Sequence, residues 1–94
     1  MGTEIVRLHA VVYGRVQGVG FRFHTQQEAD EMSLTGWVAN RADRSVEVVA
    51  EGSRDTLDRF LKYLQRGPAS AHVTRVDYDF QPATREFDQF RVAL

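Results

Sequence analysis

Cysteine is absent from this chain of 94 residues. Its absence removes thiol nucleophiles, disulfides and thiolate metal sites together, and it agrees with a reducing compartment. An excess of either charge is missing as well: 12 Lys and Arg face 13 Asp and Glu, for a net charge of −1. Proteins that track a nucleic-acid backbone carry a strong positive excess, so nucleic acid is not an expected partner. A small localised anion stays open, because a few donors hold one without a basic surface. No apolar run is long enough to span a bilayer, and Met1-Gly2-Thr3-Glu4 lacks the basic-then-apolar layout of a secretory signal. The expectation is a cytoplasmic protein with no membrane partner. The histidines His9, His24 and His72 are scattered and form no metal-ligand spacing. Neither a metal nor another cofactor is expected.

What the chain does have is 43% hydrophobic, 27% charged and 11% aromatic residues, the make-up of a soluble globular protein. That is enough apolar surface for one modest core without staples, and residues 1–94 are expected to form a single domain. Ile5 to Tyr13 alternates as a strand, with Val6, Leu8, Ala10 and Val12 on one face and Arg7 and His9 on the other. After a glycine-rich turn, Phe21, Thr25, Ala29 and Met32 form the stripe of a helix ending near Ser33. Trp37 to Arg41 and Val46 to Glu51 read as two strands joined by a short turn, with Val46, Val48 and Ala50 inward and Glu47 and Glu51 outward. Ser53 is placed to cap a second helix, with Asp55 in its first turn and Leu57, Phe60, Leu61 and Leu64 on its buried face. Gly67-Pro68 stops it. Val73 to Phe80 puts Thr74, Val76, Tyr78 and Phe80 on one face, and Phe90, Val92 and Leu94 alternate as a last short strand. Phe21, Phe23, Trp37 and Phe90 are core candidates. The order predicts an α+β, ferredoxin-like sandwich: β-α-β-β-α-β with a short extra C-terminal strand, and two helices on one face of a mostly antiparallel sheet. Such a fold hosts many functions, so activity must be argued from a site.

Two segments carry chemistry. Gly14-Arg15-Val16-Gln17-Gly18-Val19-Gly20-Phe21-Arg22 lies between a strand and a helix. Its three glycines let successive N–H groups turn toward one point, and the helix start adds free donors and a positive dipole end. Arg22 can add two parallel N–H···O bonds to the same anion. The same residues also suit a plain tight turn with a solvated arginine. The spacing fits neither G-x-G-x-x-G nor the Walker loop, so a small phosphoryl group suits it better than a nucleotide. The second segment is Gly36-Trp37-Val38-Ala39-Asn40. Asn40 is either a turn residue bonding its own backbone or an amide that accepts from and donates to one water.

Val16-Gln17-Gly18-Val19-Gly20-Phe21-Arg22 and Gly36-Trp37-Val38-Ala39-Asn40 resemble the two signature segments of the acylphosphatase family, and Gly67-Pro68 and the spacing between segments match as well. The similarity runs over essentially the whole chain. It implies a metal-independent enzyme that hydrolyses acyl phosphates, carboxyl-phosphate anhydrides such as acetyl or carbamoyl phosphate. It implies that the loop amides of Arg15, Val16, Gln17, Gly18, Val19 and Gly20 cradle phosphate together with Arg22. Asn40 would orient water, and the small-molecule substrate would be the only partner of a monomer. Thr25 matches a threonine common in the family, although a core-facing role on its helix suits it better. The family pattern has Gly four residues after the Asn, and here that residue is Arg44. Either the turn is built differently or Arg44 adopts positive φ at about 1–2 kcal/mol. The resemblance also raises an approach of the Leu94 carboxylate to Arg22. Two rivals remain: a domain that senses acyl phosphates without turnover, and a single-stranded nucleic-acid binder. The second would need aromatic stacking residues on its open sheet face.

Overall fold

The computed structural model describes residues 4–93. Its elements are β1 (Ile5–Arg15), α1 (Phe21–Glu31), β2 (Thr35–Asn40), β3 (Val46–Ser53), α2 (Arg54–Arg66), β4 (His72–Pro82) and β5 (Phe90–Val92). The strands form one sheet in the order β4-β1-β3-β2-β5. All neighbours are antiparallel except β2 and β5, which run parallel. This is the α+β ferredoxin-like arrangement expected, with the extra strand at one edge.

Period-two alternation becomes a core because the register aligns it. Leu8 sits opposite Ala50, Ala10 opposite Val48 and Val12 opposite Val46, while Val48 also faces Val38. All seven are fully buried. Onto this face α1 lays Phe21, Thr25 and Ala29, and α2 lays Leu57, Phe60, Leu61 and Leu64. Phe90 meets Phe60 edge-on at 6.1 Å between ring centroids, which ties β5 to α2. Burial of each such side chain contributes roughly 1.5–3 kcal/mol, so the sheet and both helices stand or fall together.

Several side chains depart from the sequence expectation. Phe23 is exposed, because it lies two residues from Phe21 and so about 200° around the helix from the buried stripe. Trp37 is only half-buried and lies on the sheet face away from the helices, in the row with Val49 and His9. Thr74 is exposed: the register slips between Tyr13 and Gly14, which pair with Arg75 and Val73, and the extra residue turns Thr74 outward. Val73 packs against the core in its place, and Tyr78, although it shares a face with Val76 and Phe80, is half-exposed at the edge.

The face away from the helices is partly covered. Glu51 points there as expected but is buried rather than solvated. Its carboxylate accepts from the Thr84 and Arg85 amides, both at 2.9 Å, and from Arg7 Nε at 2.8 Å. Burial pushes the Glu51 carboxyl upward, but these donors outweigh it and hold it below the usual range. They also fasten the connection between β4 and β5 to the sheet, where Phe87 lies 5.2 Å beneath the Arg7 guanidinium.

Candidate functional site

The turn from β1 into α1 is made by glycines at positive φ, Gly18 at 75° and Gly20 at 77°. Gly20 is the N-cap residue of α1 in the left-handed conformation, a position costly for any residue with a Cβ. The first helical bond runs from the His24 amide to the Gly20 carbonyl at 3.0 Å. The amides before it therefore have no acceptor within the helix. No side chain caps them, and no acidic residue stands in the first turn. This helix start keeps its donors and its positive dipole end for whatever lies in front of it.

A cleft of about 280 Å³ opens there. Gly18 and Gly20 line it together with Arg22 from α1 and Asn40 from the end of β2. The two polar side chains are 18 positions apart in sequence, and the cleft is where the fold joins them. Val16, Phe21, Phe23 and Val92 supply apolar walls, and no carboxylate is among the lining residues. Among the described residues, neither the Arg22 guanidinium nor the Asn40 amide is spent on a hydrogen bond or ion pair. The turn-capping alternative for Asn40 is taken by Asp43 instead, which accepts from the Ser45 amide at 3.0 Å and from the Ser45 hydroxyl. Those bonds, the hydroxyl's first, hold the Asp43 carboxyl below its usual range.

The side chains of the remaining loop residues are engaged elsewhere. Arg15 ends β1, exposed and paired with His72. Val19 packs partly on the core, and its carbonyl accepts from Ser70 Oγ at 2.7 Å. Gln17 reaches across to the β2–β3 turn, where its Nε2 donates to the Arg41 and Ser45 carbonyls, both at 2.9 Å. That turn contains Arg44 at φ 77°, closed by the Arg44 amide on the Arg41 carbonyl at 3.1 Å. Arg44 thus adopts the positive φ that a glycine would allow, and the strain is held by hydrogen bonds from both sides. The clamp joins the glycine turn that leads into α1 and Arg22 to the hairpin that carries Asn40.

Sequence reasoning placed Gln17 in the loop but missed its clamp, missed Val92, and read Phe23 as core. The Gln17 side chain left no local signal, since its partners lie more than 20 residues away. Val92 reaches the cleft only because β5 docks beside β2. Phe23 could have been found from helical periodicity alone. His24 touches Phe23 edge-on at 5.8 Å, His72 is exposed, and His9 pairs with Glu47 at 2.7 Å on the far face of the sheet. Among the described residues, no group of three or more His, Asp or Glu side chains is gathered at metal-binding distance. Leu94, proposed from sequence both for the last strand and for a contact with Arg22, lies outside the described residues. No helix among the described residues is long and apolar enough to cross a membrane.

Comparison with known proteins converges on one family. The acylphosphatase family model matches residues 8–92. The chain is 49% identical over 92 residues to an acylphosphatase of Paenarthrobacter aurescens, covering 98% of each chain. It superposes on the acylphosphatase crystal structure from Bacillus subtilis with a TM-score of 0.91 at 36% identity, covering 95% of this chain and 99% of that one. An acylphosphatase from Coxiella burnetii gives a TM-score of 0.89 at 37% identity, covering 96% and 94%.

Proposed function

The chain belongs to the acylphosphatase family and is an acylphosphatase, a hydrolase of small-molecule acyl phosphates, and from that premise we propose how its residues divide the work. The phosphoryl group is held by the turn amides from Arg15 to Gly20 and by Arg22, and Asn40 aims the attacking water. The observation that carries this reading is the shared cleft: Arg22 and Asn40 line it with Gly18 and Gly20 at the uncapped start of α1.

The chemistry suits such a sparse site. The leaving group is a carboxylate, which departs without a protein acid to protonate it. Catalysis is then positioning plus stabilisation of charge spread over the three equatorial phosphoryl oxygens. Backbone N–H groups and a guanidinium do this without a metal. The Asn40 amide oxygen accepts one proton of the water while its NH₂ donates to the water oxygen, so the lone pair faces phosphorus. As the O–P bond forms, the anhydride P–O bond breaks. The water's proton passes to a phosphoryl oxygen, and the products are a carboxylate and inorganic phosphate. In this reading the chain acts as one domain and as a cytoplasmic monomer, with neither metal nor nucleic acid as partner.

The test is steady-state hydrolysis of acetyl and benzoyl phosphate, with a phosphate monoester as negative control. Turnover of the anhydrides that persists in EDTA is expected. Binding without turnover would make the chain a sensor, and loss in EDTA restored by Mg²⁺ would reject the metal-free mechanism.

A further inference from the structure

Once the phosphoryl group and water are assigned their partners, the cleft retains a surface with no task. Val16 and Phe21 are almost wholly buried and belong to the core. Phe23 does not: it is 58% exposed, yet it lines the same cleft as Arg22 and Asn40. Only one other large apolar side chain in the described residues, Tyr78 on the edge strand, is comparably exposed. The Phe23 ring meets His24 edge-on, at an interplanar angle of 65°. An exposed aromatic ring adjoins the donors assigned to the phosphoryl group, with Val92 as the other partly exposed apolar lining residue. Beyond Arg22 and Asn40, the lining offers no polar side chain to a substituent on the acyl group.

We propose that Phe23 is a specificity-determining residue that receives the acyl group and favours apolar acyl phosphates, aryl ones above all, over small or polar ones. The inference rests on the assignment of the phosphoryl group to this cleft. An aryl acyl group stacks against Phe23 and removes its exposed face from water, and an acetyl group covers only a small part of it. Part of that contact persists in the transition state, because the carboxylate is still leaving from beside the ring. The preference therefore appears in kcat/KM.

The experiment compares wild type, Phe23→Ala and Phe23→Tyr on benzoyl and acetyl phosphate, together with inhibition by inorganic phosphate. The benzoyl-to-acetyl ratio of kcat/KM should fall about three- to tenfold in Phe23→Ala, the range of one aromatic contact, and recover in Phe23→Tyr. Inhibition by inorganic phosphate, which has no acyl group, should not follow the ratio. A ratio unmoved by Phe23→Ala overturns the inference and leaves the phosphate site standing. So does an equal loss on both substrates and on phosphate affinity, which would mark Phe23 as merely structural. Wild type that hydrolyses neither compound would remove the proposed function itself, and this inference with it.

Discussion

The two helices begin in opposite ways. At the start of α2, Ser53 Oγ accepts from the Thr56 amide at 3.2 Å, and Asp55 sets a carboxylate against the positive end of the helix. At the start of α1 the N-cap is Gly20 in the left-handed conformation, with no side-chain cap and no acid nearby. One end is satisfied by the chain itself, which contributes about 1 kcal/mol to stability. The other forgoes that contribution and leaves its donors uncapped beside the cleft that Arg22 and Asn40 line. Under the proposed function, chain stability and anion recognition draw on the same kind of main-chain donor, and the two helix starts divide them.

The largest test of this contrast is removal of the side chains that exploit the open end. Arg22→Ala and Asn40→Ala should each lower kcat on the order of 10²–10³-fold, about 3–4 kcal/mol, while the protein stays folded. Inorganic phosphate should inhibit the Arg22 variant more weakly and the Asn40 variant as before; unchanged phosphate affinity without Arg22 would remove it from the binding role. Gly20→Asp would instead set a carboxylate in front of the α1 amides, at about 1–2 kcal/mol of strain from the positive φ there. A carboxylate in front of these amides should lower kcat/KM by roughly thirtyfold, about 2 kcal/mol, through competition with the phosphoryl group. Full activity in that variant would show that the helix start does not face the substrate.

Glu51 offers an internal reference for an anion held by main-chain amides. Because its carboxyl is held below the usual range, the stability it contributes is present above its unfolded value, near 4.5, and is lost as pH falls through the folded one. Glu51→Gln should cost about 2 kcal/mol at neutral pH and flatten the acid limb of a pH–stability curve measured by urea unfolding. An acid limb identical to wild type would mean another group controls it. The smallest effect belongs to the capped helix: Ser53→Ala should lose about 1 kcal/mol, a fall of roughly 4–8 °C in Tm, without altering kcat. If activity fell with stability there, the division between the two helix starts would be wrong.

What the sequence disclosed follows the range of each signal. Gly18, Gly20 and Arg22 lie within a few residues at the β1–α1 junction, so their grouping was legible from local pattern, as was the Ser53 cap. The alternation in β1 and β3 was legible because both strands bury the same face. Thr74 was not, since a bulge depends on how β4 meets Tyr13 and Gly14 across the sheet. Trp37 was read as core on hydrophobicity alone, although its register with Val49 places it on the other face. The clamp from Gln17 and the arrival of Val92 are products of topology, invisible to any window of sequence.

The bulge in β4 has a consequence for how the molecule behaves in a crowded solution. β4 is the long free border of the sheet, eleven residues that would otherwise offer a neighbouring chain a pairing edge. The kink at Thr74, the Arg75–Asp77 ion pair, Asp79, and Pro82 at its end leave few consecutive positions where a flat, uncharged strand could zip on. The opposite border, three residues of β5, is too short to template anything. Among the described residues, neither margin of the sheet offers a long, flat, uncharged strand for edge-to-edge pairing.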